Sequence, residues 1–259
     1  MEKYFNNQKE YQNPRFLSNF HNLSFNGFEV LDLGCGHGAL TIDIAERGAK
    51  NVVGIDLNKT LIEFANKNLI TNYFPLRENV KFVKANLRDL YEYKFDIIIS
   101  KNTFEHIVNL DKLLLEIKER LKISGRLLAG FGPLYHSPWG DHNILRHKLP
   151  WVHIFLIKKY LRKKNLFSIK DLDLNGLSIN DYERIFNNIN GLKIINFETN
   201  IVNISQNYCL KSTFYPPFIF YKSKIFLKII NKIFKAFSTI HWLKKFFIFN
   251  VFLIMQRVE

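Results

Sequence analysis

The strongest chemical signal in the chain lies at residues 32–38, Asp-Leu-Gly-Cys-Gly-His-Gly. The string falls between an apolar run that ends at Gly34 and a stretch of helical spacing that begins at Ala39. Ligands of open α/β sheets bind at the carboxyl ends of strands. Glycines there allow a tight turn and let a ligand approach backbone N–H groups. Asp56 ends the next apolar run, 22 residues after Gly34. An acid at that place can hold the two hydroxyls of a ribose. A tight turn with no ligand would explain the glycines, but not the acid. The string also satisfies G-x-G-x-x-A (Gly34, Gly36, Ala39), so these residues point to a nucleoside cofactor without saying which.

Such groups need a scaffold, and the front half supplies one by alternation. Residues 28–34, 51–58, 80–86, 95–100 and 125–131 are apolar runs suited to buried parallel strands. Residues 39–47, 60–70 and 104–122 have helical spacing. The last of these carries Leu110, Leu113, Leu114, Ile117 and Leu121 on one face and ends at Ser124-Gly125. Further on, the pattern predicts a short basic, aromatic helix at 151–164, a helix at 179–189, a strand at 191–199 and a last strand at 246–257. That last strand follows no simple crossover, which predicts an antiparallel strand at the sheet edge. The fold class expected is a doubly wound α/β sheet.

At this point a resemblance adds to the residues. LDLGCGHGALTIDIAERGAKNVVGIDLN resembles motif I and the following acidic loop of class I S-adenosylmethionine-dependent methyltransferases. FDIIISKNTFEHIVNLDKLLLEIKERLKISGRLL resembles their fourth strand, Glu-His helix start, long helix and fifth strand. The likeness covers about residues 28–131, with a weaker match through strand six and the last strand. It implies seven strands in the order 3-2-1-4-5-7-6, the last antiparallel, with helical lid insertions. It also implies S-adenosyl-L-methionine as cofactor. Asp32, Gly34, Cys35, Gly36 and Gly38 would surround its methionine part and Asp56 its ribose. Leu57 and Asn86 would lie by the adenine, Leu87 would also belong to the cofactor site, and Ser100, Lys101 and Asn102 follow strand four, where the methyl group should point. Asn86 departs from the Asp of many members. It keeps a carbonyl acceptor for the adenine amino group and loses charge assistance.

Methyl transfer asks for alignment and exclusion of water, and a hydroxyl acceptor also asks for a base. Histidine suits that role near neutral pH. His142, His106 and His153 are the candidates, in that order. His142 leads because Gly140 would let its loop bend over the cofactor. His106 follows Glu105, a pair frequent in the quinone-biosynthesis branch, where capping and packing explain it as readily as chemistry. GPLYHSPWGDHNILRHKLPWVHIF, after strand five, resembles a motif of bacterial type 11 methyltransferases. His136, His142 and His153 are spaced by 6 and 11 residues, which matches no metal-ligand pattern. Cys35 reads as a small filler in the loop, His37 as a solvent-facing side chain, and His147 as a surface residue.

The organisation expected is a single domain over 1–259. It has a helical or irregular segment at 1–27, a cofactor-binding core at 28–131, a lid at 132–165 and a basic insertion at 201–245. Charge separates the halves. Residues 1–150 hold 20 basic and 17 acidic side chains, and residues 151–259 hold 17 and 6. Lys224, Lys228, Lys232 and Lys235 fall on one helix face within 222–240, with apolar residues on the rest. A lid helix with a solvated lysine face is the plain reading; contact with an anionic membrane or a lipid-linked acceptor is the functional one. Nucleic acid is disfavoured. No Asn-Pro-Pro-Tyr element follows strand four, no Pro-Cys nucleophile occurs, and basic charge alone carries no specificity.

Two cysteines, Cys35 and Cys209, exclude a disulfide framework or a paired-Cys zinc site. The polar N-terminus and the 11-residue apolar stretch 246–256 predict neither a signal peptide nor a membrane span, and a cytoplasmic location is the default. The expected function is methyl transfer to a small-molecule, sugar or lipid-linked acceptor, most simply at oxygen. The alternatives are an RNA or protein methyltransferase and a non-catalytic cofactor-binding protein.

Overall fold

The computed structural model describes residues 1–21, 23–142, 144, 145, 150–201, 232–240 and 242–259. Its sheet is built from β1 (Glu29–Leu33), β2 (Asn51–Asp56), β3 (Val80–Lys84), β4 (Phe95–Lys101), β5 (Leu121–Phe131), β6 (Leu192–Ile201) and β7 (Ile248–Arg257). The order is β3-β2-β1-β4-β5-β7-β6. The first five strands are parallel, and β7 is antiparallel to both β5 and β6. The expected order and the antiparallel last strand are both present. Its expected place at the edge is corrected: β7 lies inside the sheet, and β6 forms the edge.

Both faces of the sheet are covered, which is why its central strands read as unbroken apolar runs. Val30, Val52, Ile97, Ile99 and Leu128 face one core with α3 (Ala39–Glu46) and α4 (Lys59–Asn72). Leu31, Val53, Ile98, Leu127 and Ala129 face the other, with α5 (Leu110–Arg120) and α7 (Ile179–Asn187). Strand alternation sends neighbours such as Leu127 and Leu128 to opposite cores.

Two boundaries differ from the expected ones. The helix predicted over 104–122 is a short 3₁₀ turn, Phe104–His106, followed by α5. Ile107 is extended, and Asn109 at φ −108°, ψ 66° starts α5 afresh. The helical spacing is real only from Leu110 onward. Strand five begins at Leu121 instead of Gly125, because Leu121 already pairs with Phe95 and an irregularity absorbs Lys122–Gly125. An apolar Leu121 serves either pattern, so periodicity could not place the break.

The N-terminal segment is more regular than expected. Residues 2–17 run as α1 (Glu2–Asn7), a π turn (Gln8–Gln12) and α2 (Asn13–Leu17). Phe5, Phe16 and Leu17 are buried against the α3–α4 side. Beyond β5, α6 spans Val152–Lys163, and residues 232–238 are helical. Lys224, Lys228, Cys209 and His147, and with them most of the basic insertion, lie outside the described residues.

Candidate active site

Apolar β1 and β2 end at Leu33 and Asp56, so the 34–38 loop leaves the sheet at the edge where the parallel strands stop. The Gly34 and Cys35 N–H groups both donate to the Ile55 carbonyl at 2.9 Å. Asp56 completes the clamp: its carboxylate accepts the Gly36 N–H at 2.9 Å and the Asn58 N–H at 2.8 Å. Gly36 has φ +54°, and a Cβ built there meets nothing within 4 Å. The loop thus presents bare backbone to open space. Gly38 differs. Its φ is +84°, and a Cβ there would press on Phe82 and Ala65. Its smallness serves packing.

The open space is a cleft with two chambers, of about 420 and 570 Å³. Gly34, Asp56, Thr103 and His106 line both. The smaller chamber adds Ile55, Leu57, Asn86, Leu87, Ile107 and Val108. Leu57 is 63% exposed, an apolar side chain on an open wall, which suits the face of a flat ring. The larger chamber holds Asp32, Cys35, Gly36, His37, Lys101 and Asn102, and is walled by Tyr4, Gln8 and Asn13 of the N-terminal helices.

Electrostatics in the larger chamber are set by burial. Asp32 donates nothing and accepts the Thr41 hydroxyl at 2.7 Å. Burial pushes its carboxyl up to about 7 despite the nearby Lys101 ammonium. Burial likewise pulls Lys101 down to about 8. His37 is packed between Tyr4 and Phe5, with ring centroids 4.7 and 5.9 Å away, and burial holds it down to about 4. The expectation of a solvent-facing His37 is therefore corrected, since the N-terminal helix covers it.

Of the cofactor residues expected from sequence, the structure brings Asp32, Gly34, Cys35, Gly36, Asp56, Leu57, Asn86 and Leu87 to the cleft wall. Gly38 and Ser100 stand behind it. Ser100 is buried and gives its hydroxyl to the Leu33 carbonyl at 2.9 Å.

The histidines separate. His106 lines both chambers, and its Nδ1 donates to the Asp173 carbonyl. A carbonyl can only accept, so Nδ1 carries the proton and Nε2 of the neutral ring has its lone pair free for a proton. His142 stands one ring behind, its centroid 5.2 Å from that of His106, with Nε2 donating to the Pro133 carbonyl at 3.0 Å. His153 is fully buried, with Nε2 on the Tyr135 carbonyl at 2.7 Å. None of the described residues of 132–153 lines either chamber. The room expected at Gly140 is also corrected, because the Leu134 and Tyr135 carbonyls close over it.

Sequence reasoning missed the wall made by Tyr4, Gln8 and Asn13. It also passed over Lys101 as a binding group, although a lysine at the end of an otherwise apolar strand was a readable signal.

A family model described as "Methyltransferase domain" matches residues 24–131, the span that contains this loop, Asp56 and His106. Over that span the chain is similar to a methyltransferase domain. Ribosomal protein L11 methyltransferase of Dictyoglomus thermophilum is 38% identical over 99 residues, which is 38% of this chain and 31% of that protein. Ubiquinone biosynthesis O-methyltransferase of Chelativorans sp. is 36% identical over 105 residues, 40% of each chain. The chain thus spans less than half the length of these relatives. Geranyl diphosphate C-methyltransferase of Streptomyces coelicolor, in complex with Mg²⁺, geranyl diphosphate and S-adenosyl-L-homocysteine, superposes with a TM-score of 0.59 at 16% identity. That superposition covers 96% of this chain and 79% of that one, and shows the fold. The methyltransferase fold is shared; the acceptors named for these three proteins are not.

The cleft fits the cofactor of this methyltransferase class. Gly36 leaves space where a side chain would intrude, and each Asp56 oxygen keeps lone pairs after accepting one backbone N–H. Asp56 would hold the ribose hydroxyls, with Leu57 and Leu87 against the adenine.

Proposed function

We propose that the chain transfers a methyl group from S-adenosylmethionine to a hydroxyl oxygen of a small-molecule, sugar or lipid-linked acceptor. The observation that carries this reading is the hydrogen bond from His106 Nδ1 to the Asp173 carbonyl, which prepares Nε2 as a base on the wall common to both chambers. When bound, the cofactor supplies a methyl group already activated by its sulfonium. The glycine loop and Asp56 hold the nucleoside end. The larger chamber, walled on one side by Tyr4, Gln8 and Asn13, receives the acceptor. The acceptor oxygen would bond to the methyl carbon as its proton passes to His106 Nε2, while the S–CH₃ bond breaks, its electron pair stays on sulfur and S-adenosylhomocysteine leaves, so atoms and charge balance. His142 and His153 then act as supports of the lid, each tied to a backbone carbonyl.

Labelled cofactor tests the reading against small-molecule extracts, RNA and protein side by side. Label in small molecules supports it. Label in RNA or protein moves the function to those acceptors. A protein that binds the cofactor and labels nothing is a non-catalytic binder.

We also propose peripheral contact with an anionic membrane. Phe155, Phe167 and Trp242 are 81%, 97% and 68% exposed. They accompany exposed Lys158, Lys159, Arg162, Lys163 and Lys164 on and beyond α6, and Lys232 and Lys235 on the 232–238 helix. Aromatic groups beside lysines suit an interface of headgroups and acyl chains. No helix among the described residues is long and apolar enough to cross a membrane.

A further inference from the structure

The larger chamber contains a cation that no carboxylate among the described residues contacts. Lys101, the last residue of β4, donates from Nζ to Gln8 Oε1 at 2.7 Å and to Asn13 Oδ1 at 2.8 Å. Both partners are neutral amide oxygens. A π turn makes this possible, since the Asn13 N–H bonds to the Gln8 carbonyl five residues back and brings the two side chains together over one point. Lys101 makes no ion pair among the described residues; Asp32 and Asp43 act on it only through space. An ammonium has three donors; among the described residues two meet these amide oxygens, and the Phe16 ring centroid lies 5.7 Å from Nζ.

Burying an unpaired charge is costly, and the cost is visible in the depressed lysine. Carboxylates in place of Gln8 and Asn13 would have removed it; amides seat the ammonium and leave its charge for something else. Beside it, neither ring nitrogen of His37 has a hydrogen-bond partner among the described residues. Position decides whose partner this is. β4 flanks β1 on the side away from β2, whereas Gly36 and Asp56 belong to β1 and β2. Lys101 therefore stands on the flank of the cleft away from the nucleoside end, in the chamber it shares with Asp32, Cys35 and Gly36.

We propose that Lys101 is the binding point for a carboxylate of the acceptor, which makes the acceptor a small organic acid. This rests on the methyl-transfer reading above. A single ammonium balances one unit of charge, which suits a carboxylate better than a phosphate dianion. Leu40 and Leu61, which line the same chamber, suit an apolar body. The carboxylate anchors, and a separate hydroxyl of the same molecule receives the methyl group.

The test gives the full chain labelled cofactor and a small-molecule extract split by anion exchange into unretained and retained compounds, with a phosphatase-treated portion of the second. The expected label enters the retained fraction, survives phosphatase, and resists mild alkali, as an ether does and a methyl ester does not. Lys101→Met should lower labelling by about 10–100-fold at limiting fraction and recover when more is added. Lys101→Arg should fall between the two. S-adenosylhomocysteine should bind Lys101→Met as it binds the parent, which also shows that the variant folds.

Label in the unretained fraction overturns the proposal, as does phosphatase-sensitive or alkali-labile label. So does a Lys101→Met variant that labels like the parent. If that variant loses S-adenosylhomocysteine but keeps 5′-methylthioadenosine, which lacks the amino acid end, Lys101 serves the cofactor and the proposal fails. A parent that binds S-adenosylhomocysteine and labels neither fraction fails one step earlier, at methyl transfer to small molecules, and takes this proposal with it.

Discussion

The Asp56 carboxylate holds the Gly36 N–H at 2.9 Å, so the acid of β2 shapes the glycine loop of β1 as well as lining the cleft. Asp56→Ala should weaken S-adenosylhomocysteine binding by about 1–3 kcal/mol, measured by calorimetry. Asp56→Asn should be nearly as harmful. An amide has one oxygen for two backbone N–H groups and turns its NH₂ toward the other. A conservative change that binds like the parent would show that the clamp matters little.

Gly36 and Gly38 should separate binding from stability. Gly36→Ala places a methyl group in the open cleft and should cut cofactor affinity, with about 1–2 kcal/mol of destabilisation from its left-handed backbone. Gly38→Ala carries the same backbone penalty and forces a methyl group against Phe82 and Ala65. Its denaturant midpoint should fall further than that of Gly36→Ala. Equal midpoints would contradict the packing role of Gly38.

For the base, His106→Ala should keep cofactor affinity and lose about 10²–10⁴-fold in methyl transfer. His142→Ala should lose far less, because its ring reaches the cleft only through His106. Turnover measured with the true acceptor decides the order. A deeper loss in His142→Ala would restore the ranking drawn from sequence.

Burial holds the His142 ring down to about 4, against 6.5 for an ordinary histidine. Between those values the unfolded chain binds a proton that the folded one refuses, so this group's stabilisation is full above about 6.5 and is lost as pH falls toward 4. Asp32 and Glu105, each pushed up to about 7 by burial, act in the opposite sense over much of that range. The informative quantity is therefore the difference between the parent and His142→Phe. Its value in chemical denaturation should drop as pH is lowered from 7 to 5, and a flat difference would exclude a buried neutral ring.

The membrane reading predicts sedimentation with acidic vesicles that declines as salt rises, and none with neutral ones. Replacing Lys158, Lys159, Arg162 and Lys163 by Gln should abolish it while cofactor affinity stays. Equal pelleting with both kinds of vesicle, or with neither, removes the electrostatic contact.

The glycine loop and its acid were legible because they are local. A strand, a glycine turn and an acid at the end of the next strand lie within 25 residues, from Asp32 to Asp56. The far wall of the larger chamber was not, because it joins distant segments: Lys101 meets Gln8 and Asn13 across 93 and 88 residues. A π turn leaves no hydrophobic period to read. The histidines of the 132–153 loop misled for a related reason. Gly, Pro and His suit a mobile catalytic loop, yet here Trp151 and His153 tie the segment down through the Phe246 and Tyr135 carbonyls. Such bonds depend on the neighbour's backbone, which residue type does not reveal.

The interior position of β7 has a consequence for biosynthesis. β6 pairs with β7 alone, and β7 follows it in the chain. On the ribosome, β6 therefore emerges long before its neighbour, and β5 waits with one edge bare. That nascent five-strand sheet, already able to enclose the nucleoside end of the site, offers an unpaired border to any other strand nearby. Arrival of β7 both seals that border and pairs β6, so the interval before it is when the open edge is most exposed to mispairing.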